Sequence, residues 1–234
     1  MSREGIRREM VAARGGSDSV PTHDSRLTTH DFDSLCAEAQ ACARCLAMAG
    51  RRRVLGEANG RPGALVCFIG EAPGRRGAER TGVPFSGDRS GRNFDALLAH
   101  AGLTRDAVFV TNALLCNPQD ERGRNRPPSR DELANCRGFL ARQLAVVDAP
   151  LVAPLGAVAL AALDALATHR LRLREAVGVP TAWQGRVLFP LYHPGPRAQL
   201  HRAVAQQCAD FSALGDLARR LQTGTFDAPT AFEN

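Results

Sequence analysis

Short apolar runs and amphipathic stretches alternate along most of the chain. Apolar runs bounded by turn residues are typical of buried strands, whereas apolar residues that recur every three or four positions are typical of helices facing a core. This pattern predicts strands at residues 64–69, 108–112, 151–154 and 186–191. It predicts helices at residues 93–101, 129–145, 156–167 and 198–221, and a helical segment from Asp31 onward that carries Cys36, Cys42 and Cys45.

Strands that alternate with helices predict a three-layer α/β/α sandwich around a central, mainly parallel four-stranded sheet. The 234 residues suffice for one sizeable core. Residues 1–30 are polar and lack sustained apolar periodicity, so we expect a mobile N-terminal tail with at most a short helix at residues 4–13. A single domain is then expected over residues 31–234.

Charge adds a preference for a polyanionic partner. The formal net charge is +6, and all 30 basic residues other than histidine are arginine. A basic excess favours a polyanionic partner but does not by itself distinguish among DNA, RNA and a membrane surface. The sequence has no run of about 18 apolar residues, and its N-terminus lacks the apolar centre of a secretory signal, so we expect a cytoplasmic protein that does not span a membrane.

A Gly-rich stretch at residues 69–91, IGEAPGRRGAERTGVPFSGDRSG, joins the first predicted strand to a helix. It contains neither a GxGxxG fingerprint nor a Gly-Lys-Ser/Thr phosphate loop. It does contain two carboxylates, Glu71 and Asp88, and an aromatic ring, Phe85, between them. A carboxylate that positions water beside a ring on which a planar group can stack suits chemistry on a nucleobase. The alternative is a tight turn with Phe85 in the core.

The whole pattern resembles the iron-sulfur uracil-DNA glycosylases. GEAPG followed by GxPFxG is similar to motif 1 of family 4, and GAERTGVPFSGDRSG is similar to the same loop of family 5. The chain therefore mixes features of the two families. Gly77 stands where family 4 places an acidic residue, so the resemblance implies that Asp88 positions the water, with Glu71 as the second choice.

Seven cysteines in a chain expected to be cytoplasmic indicate a metal site or burial rather than disulfides. A CxxC pair and two distant cysteines can surround a 4Fe-4S cluster, and four thiolates can also bind zinc. The segments CARC, TNALLC, NRPP and ELANC resemble the cluster-binding segments of families 4 and 5, which implies a 4Fe-4S cluster. The implied ligands are Cys42, Cys45, Cys116 and Cys136. Cys36 is an alternative ligand, and Cys67 and Cys208 are expected to be buried.

Two further polar residues follow predicted strands. Asn112 ends the second strand, and its amide can bind one edge of a pyrimidine or form a local turn. His193 lies in YHPGPRA after the fourth strand, a tract similar to motif 2 of the superfamily, which supplies a histidine to the base and a wedge to the DNA minor groove. Parallel strands gather their carboxyl ends at one edge, so we expect His193 to lie near Phe85 and Asp88.

The resemblance implies a monofunctional glycosylase that everts uracil from DNA and hydrolyses its N-glycosidic bond. Backbone groups at Ala72, Pro73 and Gly74 would assist base binding. Arginines near the loops suit phosphate contacts or form a solvated face; the DNA-contacting set is predicted to be Arg80, Arg89, Arg126 and Arg197. We expect a monomer that acts on uracil-containing DNA without an obligate protein partner. The alternatives are a non-catalytic iron-sulfur module that binds nucleic acid and a glycosylase that also accepts deaminated purines.

Overall fold

A computed structural model of the chain describes residues 25–225. Within this range the sheet has five strands in the order β2-β1-β3-β5-β4, and all neighbouring strands are parallel except β4 and β5. The strands are β1 (Val66–Gly70), β2 (Val108–Asn112), β3 (Leu151–Pro154), β4 (Thr181–Trp183) and β5 (Arg186–Leu188). The helices are α1 (Ser25–Gln40), α2 (Ala78–Thr81), α3 (Arg89–Ala101), α4 (Arg130–Val147), α5 (Ala157–Asp164), α6 (Leu173–Ala176) and α7 (Val204–Gln222).

Helices cover both faces of the sheet, which confirms the predicted three-layer α/β/α sandwich. One apolar cluster packs α1, α4 and α5 against one face of the sheet. A second cluster packs α3 and α7 against the other face. Every residue of β1, β2 and β3 is buried, as expected for parallel strands covered on both sides. The carboxyl ends of these strands therefore form one rigid edge for a functional site.

The sheet has one strand more than the four predicted. Strand β4 pairs antiparallel with β5 at the sheet edge. Gln184 and Gly185 join the two strands with φ values of 52° and 71°, the left-handed pair of a type I′ hairpin turn. A three-residue strand gives too short an apolar pattern to stand out, and the Gln-Gly dipeptide was the available signal.

Three helix boundaries differ from the predictions near the functional loops. Helix α3 begins at Arg89 rather than at residue 93. Helix α1 begins at Ser25 rather than Asp31 and ends at Gln40, so Cys42 and Cys45 lie in the loop after it. The predicted helix at 198–221 is a 3-10 turn, Pro196–Leu200, followed by α7 from Val204. The short helix predicted at residues 4–13 lies outside the described residues. Across residues 25–225, no helix has the length and apolarity needed to traverse a membrane.

Candidate active site

Most of the predicted site residues meet at the carboxyl edge of the sheet. The parallel strands β1 and β2 end at this edge, and the segment that carries His193 begins there after β5. These site residues surround a cavity of about 320 Å³. The predicted residues that line it are Glu71, Ala72, Pro73, Gly74, Phe85, Asp88, Asn112, Arg126, His193 and Arg197. The cavity is also lined by residues that no sequence motif indicated: Ala78, Ser86, Ser90, Asn117, Pro118 and Asn125.

The Phe85 ring forms one wall of the cavity. Its centroid lies 4.9 Å from that of Phe94 and 5.4 Å from that of His193. The backbone of Phe85 has φ 48°, a left-handed conformation that costs a non-glycine residue about 1 kcal/mol or more. A Cβ at Gly70 would lie 2.8 Å from this ring and 2.4 Å from Oδ1 of Asn112, so glycine is required here for the two side chains to approach.

The Asn112 side chain contributes an amide to the lining of the cavity. The residue is 3% exposed, and its side chain has no hydrogen-bond partner within the part of the chain that the structure describes. A buried polar group without a partner is costly. The amide is therefore free to bind a ligand that offers one donor and one acceptor on the same edge.

The His193 imidazole is oriented by its own loop. Its Nδ1 accepts a hydrogen bond of 2.8 Å from the backbone N–H of Gly195. A neutral imidazole with Nδ1 as acceptor carries its proton on Nε2. Burial lowers the pKa of His193, and the nearby Asp88 carboxylate opposes this effect. The geometry thus favours a neutral histidine whose Nε2–H can donate.

Two carboxylates border the same cavity. Asp88 caps α3, since its Oδ1 accepts a hydrogen bond of 2.9 Å from the N–H of Gly91. A Cβ at Gly77 would lie 2.6 Å from Oδ2 of Asp88, so the Asp88 carboxylate occupies the space that a side chain at position 77 would need. Glu71 also lines this cavity, and burial raises the pKa of its carboxyl group.

Asn117 and Asn125 hold the loop that follows β1. The Nδ2 of buried Asn117 donates to the carbonyl of Pro73 at 2.5 Å and to Oδ1 of Asn125 at 3.1 Å. The same Asn125 oxygen accepts from the backbone N–H of Arg75 at 3.0 Å. These contacts fix the segment from Pro73 to Arg75 against the loop after β2.

A second cavity of about 410 Å³ shares Asp88, Ser90, Asn125 and Arg197 with the first. Its basic lining comprises Arg75, Arg76, Arg89, Arg124 and Arg197. Of these, only Arg124 forms an ion pair within residues 30–225, with Asp120. Several unneutralised guanidinium groups around one opening produce a strongly positive site beside the first cavity.

The remaining two predicted DNA contacts differ in their surroundings. Arg126 lines the first cavity, but its Nη1 and Nη2 donate to the Glu132 carboxylate at 2.8 and 2.5 Å. Its charge is thus already paired, and Glu132 also completes the predicted capping box with Ser129. Arg80 is exposed, lines neither cavity and lies 3.5 Å from the carbonyl oxygen of Gly87.

The four predicted cysteine ligands line one small cavity. They come from the loop after α1, the segment after β2 and helix α4; they are Cys42, Cys45, Cys116 and Cys136. Asn135 reinforces this arrangement, because its Nδ2 lies 3.4 Å from both Sγ of Cys45 and the carbonyl of Arg44. The convergence brings three distant chain segments together.

Of the four cysteines in this cavity, Cys136 is buried and the other three are half-buried. Burial raises the pKa of Cys116 to about 12, and the neighbouring Cys136 adds to this rise. In residues 25–225, no group of three or more His, Cys, Asp or Glu side chains is placed so that it could hold a metal ion. Cys36 does not line the cysteine cavity and instead packs against the apolar cluster of α1 and α4, while Cys67 is buried in β1.

Open α/β sheets bind their ligands at the carboxyl ends of their parallel strands. The polar cavity and the arginine-rich opening lie at this position, so the fold and the site together define an α/β ligand-binding protein. The chain belongs to the Uracil DNA glycosylase superfamily, whose family model it matches over residues 58–216. This assignment covers all of the strands described above.

Relatives of two types are similar to the chain. It is 30% identical over 202 residues to the type-4 uracil-DNA glycosylase of Archaeoglobus fulgidus, covering 84% of this chain and 98% of that protein. It is 31% identical over 155 residues to the type-4 enzyme of Thermotoga maritima, covering 65% and 76%. It is 31% identical over 147 residues to the type-5 uracil-DNA glycosylase of Pyrobaculum aerophilum, covering 57% and 62%. These similarities confirm the prediction of mixed family 4 and family 5 features.

Proposed function

We propose that the protein is a monofunctional uracil-DNA glycosylase that hydrolyses the N-glycosidic bond of deoxyuridine and leaves an abasic site. One observation carries the proposal: a stacking ring, an unpaired amide, a neutral imidazole and a carboxylate all face the same cavity. Membership of the superfamily and the names of its relatives support the same reaction.

Base binding uses the ring and the amide. A uracil everted from the duplex stacks on Phe85, which is already fixed against Phe94. The Asn112 amide then offers its oxygen to N3–H and its NH₂ group to O4 of the base. Backbone groups at Ala72 to Gly74 complete the pocket, with the carbonyl of Pro73 already taken by Asn117.

Bond cleavage leaves an electron pair on the departing base. As the bond between C1′ and N1 breaks, its electrons move onto uracil and the sugar becomes oxocarbenium-like. Nε2–H of His193 donates a hydrogen bond to uracil O2 and stabilises the anion that forms. One such preorganised donor is typically worth about 3 kcal/mol.

Asp88 orients the water that attacks C1′, and Glu71 is the second candidate for this role. The water oxygen bonds to C1′, and its released proton passes to a carboxylate or to solvent. The negative charge of Asp88 also offsets the positive charge on the sugar. Asp88 is preferred because its carboxylate is held in place by the first turn of α3.

The positive cavity accounts for DNA binding. Its unpaired arginines, including Arg89 and Arg197, contact backbone phosphates, which position DNA without reading sequence. Arg80 is a further phosphate contact outside the cavity. Leu200 is 83% exposed at the end of the 3-10 turn after His193 and can fill the gap that an everted base leaves.

A 4Fe-4S cluster is proposed for the cysteine cavity. In such a cluster each thiolate binds a different iron, so the four sulfur atoms need not close around a single point as they must around zinc. The four cysteines in the lining of this cavity supply the number of thiolates that such a cluster needs. When bound, the cluster supplies structural cross-links between the loop after α1, the segment after β2 and α4.

The protein is further inferred to act in the cytoplasm as a monomer, with uracil-containing DNA as its partner. The test uses labelled oligonucleotides that are identical except for one uracil, thymine or cytosine. We expect free uracil and alkali-labile abasic sites from the uracil strand alone. Tight DNA binding without release of any base would instead favour a non-catalytic nucleic-acid-binding module. Release of hypoxanthine from a deoxyinosine strand would extend the substrate range to deaminated purines.

A further inference from the structure

The guanidinium group of Arg105 lies directly behind the Phe85 turn. Its Nη1 donates to the carbonyl of Pro84 at 2.7 Å, and its Nη2 donates to the carbonyl of Phe85 at 2.5 Å. Within residues 30–225, no other donor reaches either carbonyl. Arg105 therefore satisfies the carbonyls of Pro84 and Phe85, and the second of these residues has a left-handed backbone.

Helix α3 fixes the same guanidinium from the other side. Nε of Arg105 donates to Oδ1 of Asp95 at 2.8 Å, and Cζ of Arg105 lies 4.9 Å from the centroid of the Phe94 ring. That ring in turn lies 4.9 Å from the centroid of Phe85. Arg105 thus holds both the backbone of Phe85 and the ring against which Phe85 packs.

Arg105 does not line the catalytic cavity. It begins the 3-10 turn Arg105–Ala107 that leads into β2, the strand that ends at Asn112. A planar guanidinium can bridge two carbonyls and a carboxylate at once, whereas the single ammonium group of lysine cannot reproduce this geometry. The contacts connect the loop that bears the stacking ring to α3 and β2.

We propose that Arg105 is a positioning residue that sets the plane of the Phe85 ring for base stacking. This inference rests on the proposed function, because it assigns Arg105 a role only if Phe85 stacks on uracil. Arg105 touches neither the base nor the reacting atoms. It acts by keeping the strained Phe85 turn in the one conformation that directs the ring into the cavity.

The test compares Arg105→Lys with Arg219→Lys. Arg219 is a matched control, since it also donates to a backbone carbonyl, that of Ala101, and pairs with the aspartate Asp216. Inhibition of base release by free uracil reports stacking in the pocket. We expect Arg105→Lys to weaken this inhibition by about tenfold, with little change in affinity for uracil-free DNA. We expect Arg219→Lys to leave both quantities unchanged.

A double-mutant cycle separates positioning from general loss of stability. Phe85→Ala should weaken inhibition by uracil by roughly 10-fold or more, since stacking of a base is worth about 1–3 kcal/mol. If Arg105 acts through Phe85, adding Arg105→Lys to Phe85→Ala should cause no further loss. Additive losses, or normal inhibition by uracil in Arg105→Lys, would overturn the inference.

Two further results separate a failure of the proposed function from a failure of the inference about Arg105. If Phe85→Ala itself binds uracil normally, the stacking role in the proposed function fails, whatever Arg105 does. If Arg105→Lys lowers the thermal unfolding midpoint too far for assay, Asp95→Asn provides a milder variant that keeps the arginine. It should weaken inhibition by uracil in the same direction and lose that effect in the Phe85→Ala background; an additive effect there would also refute the inference.

Discussion

The ring centroids of Phe85 and His193 lie 5.4 Å apart, with an angle of 43° between the ring planes. The two residues come from loops that follow different strands and are separated by more than one hundred positions in the chain. A planar base stacked on Phe85 would therefore have an imidazole close to its edge. This proximity allows one bound uracil to contact its stacking partner and its hydrogen-bond donor simultaneously.

Asp88→Asn separates the catalytic charge from the helix cap. Asparagine caps helices about as well as aspartate, so α3 should remain stable. Loss of the carboxylate should lower the single-turnover rate of uracil release by roughly 10²-fold or more. Thermal unfolding measured in parallel should show little change. If Asp88→Asn released uracil at nearly the rate of the unchanged protein and Glu71→Gln released it much more slowly, Glu71 would be the residue that orients the water.

The pH dependence of uracil release should reflect a neutral His193. Burial lowers the pKa of His193, so the imidazole stays uncharged above the unfolded value of about 6.5. We expect kcat/KM to show no loss attributable to His193 between about pH 6.5 and 8. If kcat/KM fell as pH rose across this range, and this fall were absent in His193→Gln, the reaction would require the charged imidazole.

The same shift has a consequence for stability. The unfolded chain binds the His193 proton more readily than the folded one, so stability is full above the unfolded pKa and is lost as pH falls through the folded pKa. Denaturant unfolding of His193→Gln should therefore depend less steeply on pH in the acidic range. An unchanged dependence would contradict a depressed pKa.

The arginine-rich cavity should determine how DNA affinity depends on salt. Replacing Arg75, Arg76 or Arg89 by glutamine should each reduce the slope of log affinity against log salt by about 0.9 if that residue contacts one phosphate. Arg142→Gln is the control, because Arg142 pairs with Glu38 on the α1 and α4 side of the molecule. Equal slopes for all four variants would place the DNA elsewhere.

Removal of one proposed cluster ligand should alter bound iron. Anaerobically purified protein is expected to be coloured by a 4Fe-4S cluster, and Cys116→Ser should lose iron, visible absorption and thermal stability. Cys36→Ser is the control, since Cys36 lies outside the cysteine cavity. If Cys116→Ser kept its iron and Cys36→Ser lost it, Cys36 would take the place of Cys116 in the proposed ligand set.

Local patterns and shared strand ends explain what the sequence could predict. Buried apolar runs identified four strands, and the parallel arrangement implied that Phe85, Asp88 and His193 would lie together at one edge. The capping box of Ser129 and Glu132 was also visible as a short local motif. Each of these features depends on residues close in sequence or on a general rule of the fold class.

Contacts between distant loops could not be predicted in the same way. Asn117 binds the carbonyl of Pro73 across 44 positions, and no local periodicity encodes such a contact. Arg126 looked like a free phosphate ligand, but the structure pairs it with Glu132. An arginine in a sequence carries no sign of whether its charge is already neutralised, so the composition of the loops could not separate Arg126 from Arg89.

A crystal structure of the protein with free uracil tests the central claim most directly. The account predicts that the uracil ring stacks on Phe85, with one edge on the Asn112 amide and O2 within hydrogen-bond distance of Nε2 of His193. Uracil bound outside this cavity, with the Asn112 amide left unpaired, would contradict it.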